Sequence, residues 1–242
     1  ILTNKKYRRY TFFLKKSNLQ LYMQKNILRL GFPIAVQQTL ECFAFSMITI
    51  MMGWFSTVVL ASYQIALTFF TMTFQISCGV ASATTILVSH SYGRKDYDAI
   101  REQAKTGVGL SVATMTVFGT IFILFPDFIT SMFTDDIEVI KQAAPLFLIA
   151  GIFQVIDGTQ VTLLGALRGM NDVNKPMKYS LFGYILIALP LAYLLGFVFK
   201  LGPCGTFSGI AIGLLVSAIL YKKRLKTIII NKKIVSLPSE NK

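Results

Sequence analysis

Histidine and tryptophan each occur once in these 242 residues, cysteine occurs three times, and charged side chains make up only 14% of the chain. Each scarcity removes a class of chemistry. With His90 alone there is no Ser/His/Asp set and no His-based zinc spacing, and Cys42, Cys78 and Cys204 follow no metal-ligand spacing. No P-loop and no dinucleotide fingerprint is present, so transport by this chain would have to draw on an ion gradient. Nothing calls for a cofactor or marks an enzyme. What abounds is apolar: 54% hydrophobic residues with 20 Phe, and a mean hydropathy of +0.60. That lies well beyond the balance of a soluble domain.

The charges gather into short blocks, and between them run apolar stretches long enough to cross about 30 Å of hydrocarbon. Six are expected, at about 30–54, 58–91, 106–126, 139–168, 177–199 and 205–221, which makes the chain an all-α, polytopic membrane protein. The net charge of +13 does not point to nucleic acid. If both termini are cytoplasmic, every Lys and Arg except Lys141 and Lys200 falls on the inside, as the positive-inside rule requires. The expected location is therefore the cell membrane, with the bilayer itself as a partner. Residues 1–29 read as a basic linker in which Leu19, Tyr22, Met23, Ile27 and Leu30 form one apolar, interfacial face. Residues 226–242 read as a cytosolic tail. The opening on Ile with this basic leader reads as a fragment of a longer chain.

Of the eleven Asp and Glu, only Glu41 and Asp157 fall inside the expected spans. A carboxylate at the bilayer centre costs about 2.5–3.5 kcal/mol even on the lenient insertion scale, so it is rarely placed there without a use. A lone acid can simply hydrogen-bond a neighbouring helix; two in an otherwise uncharged interior favour a site for a proton, a metal cation or an organic cation. Helical spacing puts Gln37, Gln38 and Phe45 beside Glu41, and Phe153, Gln154 and Gln160 beside Asp157. Both stripes should face the interior of the bundle.

The second span carries Gln64, Thr68, Thr71, Gln75, Cys78, Ser82, Thr85 and Ser89 at alternating intervals of four and three, one continuous helix face. Its Ser82–Ser89 end is expected to pack closely against another helix, while Gln64 and Gln75, too large for that, are expected to line a water-accessible cavity. Arg168, at the end of the fourth span, is expected at the cytosolic surface, offsetting its helix dipole. Pro190 should kink the fifth span.

These residues resemble a known family. Leu30-Gly31-Phe32-Pro33-Ile34 followed by Glu41 and Gly53-Trp54 is similar to the seventh span of the multidrug and toxic compound extrusion (MATE) transporters. Ala61-Ser62-Tyr63-Gln64-Ile65 resembles span eight, with Tyr63 in place of the usual His, and Tyr92-Gly93 with Asp96-Tyr97 resembles the loop after it. Phe153-Gln154-Val155-Ile156-Asp157-Gly158 and Gly165-Ala166-Leu167-Arg168-Gly169 resemble span ten and its exit. The resemblance, closest to the NorM-like subgroup, covers residues 28–225 and implies the C-terminal six-helix lobe (30–225) of a twelve-helix antiporter that exports hydrophobic, often cationic, drugs. It implies Glu41 and Asp157 as ligands of the coupling Na⁺ or H⁺, with Phe74 at a position where relatives often carry Tyr. It also implies an N-terminal lobe, or a second copy, as partner. A lipid-linked oligosaccharide flippase of the same superfamily would want a basic cavity, whereas this interior reads as acidic. An intramembrane aspartyl protease would want a Gly-Xaa-Gly-Asp signature, which is absent.

Overall fold

Apolar helices with their backbone groups satisfied internally are one of only two ways to span hydrocarbon, and the spans of this chain are helical. The computed structural model describes residues 21–236, with side chains from 23 to 231. The leader's basic cluster through Lys16, Leu19 and the side chain of Tyr22 lie outside the described residues. In chain order the helices are α1 (Leu21–Phe55), α2 (Thr57–Gly93), α3 (Tyr97–Leu124), α4 (Pro126–Ser131), α5 (Ile137–Gly169), α6 (Asn174–Ser180), α7 (Leu189–Tyr193) and α8 (Gly202–Ser236). Two wider, π-helical segments, Leu181–Ala188 and Leu194–Val198, flank α7 and join it to α6 in a single span. Among the described residues six segments are long and apolar enough to cross a membrane. The protein is thus an all-α, multi-pass membrane protein.

Local signals set the helix ends. Ser56 accepts from Val59 N at 3.1 Å and starts α2 after a one-residue break. Asp96 does the same for α3 through Ala99 N at 3.0 Å, and Asp136 caps α5 through Glu138 N at 2.9 Å. Pro190 sits at the start of α7, between the two π-helical segments. Its ring cannot share an α-helical register with the carbonyl one turn back, and wider winding relieves that clash. Helix α1 passes through the 29/30 boundary and α8 runs on past residue 225, because Leu225 and Ile229 pack with Ile100, Ala104 and Leu163.

Helix α5 is the axis of the bundle, packed against α2, α3 and α8. Glycines permit the close approach: a Cβ on Gly119 of α3 would lie 2.4 Å from Gly151 O of α5, and one on Gly165 would lie 2.6 Å from Ala81 O of α2. Two apolar cores result. One joins Ile48, Met52, Phe70, Phe147, Phe153 and Phe207; the other joins Val88, Ile100, Leu163, Leu167, Tyr221 and Leu225. Between them lies a polar layer that includes Thr73, Ser77, Ser111, Gln154, Asp157 and Gln160, all buried.

Candidate functional site

Asp157 is 2% exposed, and its Oδ1 has no hydrogen-bond partner. Burying an unpaired carboxylate oxygen is costly, so its placement is tightly held. The next residue does the holding. Gly158 lies so close to α2 and α3 that an added Cβ would fall 2.6 Å from Met115 Cγ, 2.7 Å from Ser111 Oγ and 2.9 Å from Ser77 Oγ. Ser77 and Ser111 are themselves hydrogen-bonded at 3.1 Å. Glu41, half-buried on α1, is near enough to Asp157 for the two charges to interact. Among the described residues neither carboxylate accepts a hydrogen bond. The structure therefore brings Glu41 and Asp157, 116 positions apart in sequence, into one electrostatic neighbourhood.

The glutamines expected beside the acids divide into two kinds. Gln37, Gln154 and Gln160 are buried at 2%, 1% and 3% exposure. Gln37 Nε2 donates to Tyr221 Oη at 3.1 Å, and Tyr221 Oη shares a 2.6 Å bond with Ser180 Oγ. Gln160 Nε2 donates to Tyr184 Oη at 2.9 Å, and Gln154 Nε2 donates to Thr73 Oγ1. These three tie α1, α2, α5, the fifth span and α8 together around the acids. Gln38, by contrast, is exposed.

Arg168 departs from expectation. It is half-buried rather than free at the surface, and its Nη2 donates to Gln37 Oε1 of α1 at 3.2 Å. Its Nε is buried without a partner, and its charge interacts with that of Glu41. The long aliphatic stem allows this reach, which one-dimensional spacing does not reveal. The interior is thus not purely acidic.

Gln64, Thr68, Thr71 and Gln75 all lie on the exposed face of α2. Thr68 and Thr71 satisfy themselves on carbonyls of their own helix, at 2.8 Å and 2.9 Å, whereas neither glutamine side chain has a hydrogen bond among the described residues. The packing face of α2 is the neighbouring one, through Ser77, Ala81, Thr84 and Val88. Ser82 and Ser89, expected to pack, are exposed and bond back to Cys78 O and Ile86 O; of that end only Thr85 reaches across, to Gly165 O at 2.9 Å.

Phe70, which the sequence reading passed over, is the hub of the aromatic set. Its ring centroid lies 4.9 Å from Phe153, 6.1 Å from Phe45 and 6.3 Å from Phe74. Its position one turn before Phe74 was the available signal. Phe153 is buried, while Phe45 and Phe74 are half-exposed.

A family model described as MatE matches residues 33–194. The chain belongs to the MATE family. It is 35% identical over 204 residues to a probable multidrug resistance protein NorM of Xylella fastidiosa strain 9a5c, covering 84% of this chain and 44% of that one. A protein of the same description from Bacillus anthracis is 33% identical over 201 residues, covering 83% and 44%. This MATE chain spans about half the length of the curated relatives it matches. Its fold is that of solved MATE structures: one in the straight conformation superposes with a TM-score of 0.82 at 17% identity, covering 93% of this chain and 53% of that one. The Vibrio cholerae MATE transporter VcmN in its bent form gives 0.80 at 13%, covering 90% and 50%. MATE proteins are transporters and not enzymes, and the chain contributes one six-helix unit of that architecture.

Proposed function

We propose that this chain is the C-terminal half of a cation-coupled antiporter that extrudes hydrophobic, often cationic, drugs. Glu41 and Asp157 together hold the coupling Na⁺ or H⁺. The observation that carries this reading is the buried Asp157 with its unpartnered Oδ1, within reach of the Glu41 charge. Two hard oxygen donors suit a proton or a small alkali cation. They do not suit a transition metal, and the described residues contain no group of three or more His, Cys, Asp or Glu that would hold one.

Arg168 acts in this reading as a resident positive charge. It offsets the acids while the site is empty and is repelled when a cation enters. Gln37 links that movement to Tyr221 on α8 and Ser180 on α6, so cation entry biases the packing of three helices. The exposed face carrying Gln38, Gln64, Thr68, Thr71 and Gln75 faces the second lobe across a water-accessible cleft, with Phe45 and Phe74 available to an organic cation. Gln154, Gln160 and Phe153 support the acids from behind. Both ends of the segment lie in the cytosol, and the complete transporter sits in the cell membrane.

Gradient-driven drug efflux by the complete transporter tests the coupling role. Glu41→Gln and Asp157→Asn should each reduce efflux by at least tenfold at unchanged protein levels. Efflux that survives both substitutions would remove the acids from the mechanism.

A further inference from the structure

Away from the acids, α3, α5 and α8 enclose a groove of about 650 Å³ lined by both basic and apolar side chains. Arg101 and Lys105 on α3 and Lys222 and Lys226 on α8 line it. Each pair is spaced by four residues, so its two side chains point the same way. All four are exposed, and one carboxylate, Asp98, shares the rim. The floor is apolar and buried: Ala104 is 3% exposed, Leu163 6%, Leu225 7% and Ile229 8%. Val108 and Gly109 carry the groove one turn further towards the hydrocarbon. A Cβ on Gly109 would meet nothing within 4 Å, so the missing side chain leaves the groove open there.

From this arrangement we infer a binding site for one anionic glycerophospholipid, its phosphate on the four basic side chains and an acyl chain along Val108, Gly109 and Leu163. The inference is independent of the transport reading, except that it takes the four basic side chains to lie towards the cytosolic face, where anionic lipid surrounds the helices. The volume is within the roughly 300–1,000 Å³ of small-molecule sites. A free phosphate would satisfy the cations and leave the apolar floor bare. The chain's own C-terminal segment is a poor occupant, since Lys232, Lys233 and Lys242 outweigh Glu240.

The test is native mass spectrometry of the full-length protein titrated with phosphatidylglycerol or phosphatidylcholine. One phosphatidylglycerol should bind in preference to phosphatidylcholine, and affinity should fall on the order of fivefold for each of Arg101→Gln, Lys105→Gln, Lys222→Gln and Lys226→Gln. Gly109→Leu, which fills the groove without changing charge, should weaken binding as well. Lys141→Gln with Lys200→Gln, outside the groove, should not. Excess glycerol phosphate should leave the lipid in place. Unchanged phosphatidylglycerol binding in the quadruple Gln variant would overturn the inference. So would full displacement by glycerol phosphate, which would reduce the site to a phosphate patch.

Discussion

In the proposed mechanism, Arg168 sets how strongly the acid pair draws a cation. A positive charge held near Glu41 raises the energy of any second cation there. Removing it should tighten cation binding. Arg168→Gln is expected to raise the affinity for the coupling cation on the order of tenfold, measured by isothermal titration of the full-length protein. The glutamine retains a donor for Gln37, which separates loss of charge from loss of the hydrogen bond. An unchanged or weaker affinity would mean that Arg168 serves only to fasten α5 to α1. Glu41 and Asp157 were legible in the sequence because intramembrane charge is conspicuous by its cost. Arg168 was not, because its position at a helix end fits a surface role equally well and only the side chain's direction decides. Phe70 was hidden for a similar reason: among 20 Phe, spacing alone does not single out a ring that meets Phe45, Phe74 and Phe153 together.

At the scale of helices, the closeness of α5 to its neighbours fixes where Asp157 points. The crossing of α3 and α5 is a contact of backbone with backbone at Gly119 and Gly151, so no side-chain rotation can relieve an added methyl. Gly119→Ala should cost about 1–3 kcal/mol, seen as a lower midpoint in thermal unfolding. Gly109→Ala, on the same helix but facing open space, should leave the midpoint unchanged. The number and order of spans could be read directly from the apolar stretches and the charge blocks. Their ends were less readable, since a helix continues beyond the hydrocarbon wherever packing rewards it, as Leu225 and Ile229 do for α8. Which face of α2 packs was misjudged for its second half. Small residues line adjoining faces, and only the glycines of α5 distinguish them.

For the whole molecule, the exposed polar face of α2 is the feature that a single six-helix unit leaves unexplained. Gln64 and Gln75 have no hydrogen bonds among the described residues, and a lipid contact would leave their amides unsatisfied. Facing a cleft between two lobes, they would be hydrated. Gln64→Leu with Gln75→Leu should therefore leave folding intact and lower drug efflux several-fold in the complete transporter. Higher thermal stability with undiminished efflux would instead place that face against lipid. The central claim concerns the acids themselves, and equilibrium cation binding to the purified full-length protein tests it most directly. Calorimetric titration with Na⁺, recorded together with proton release or uptake, should detect one coupling cation per molecule. That signal should be lost in both Glu41→Gln and Asp157→Asn. Binding that persists unchanged in Asp157→Asn would contradict the account.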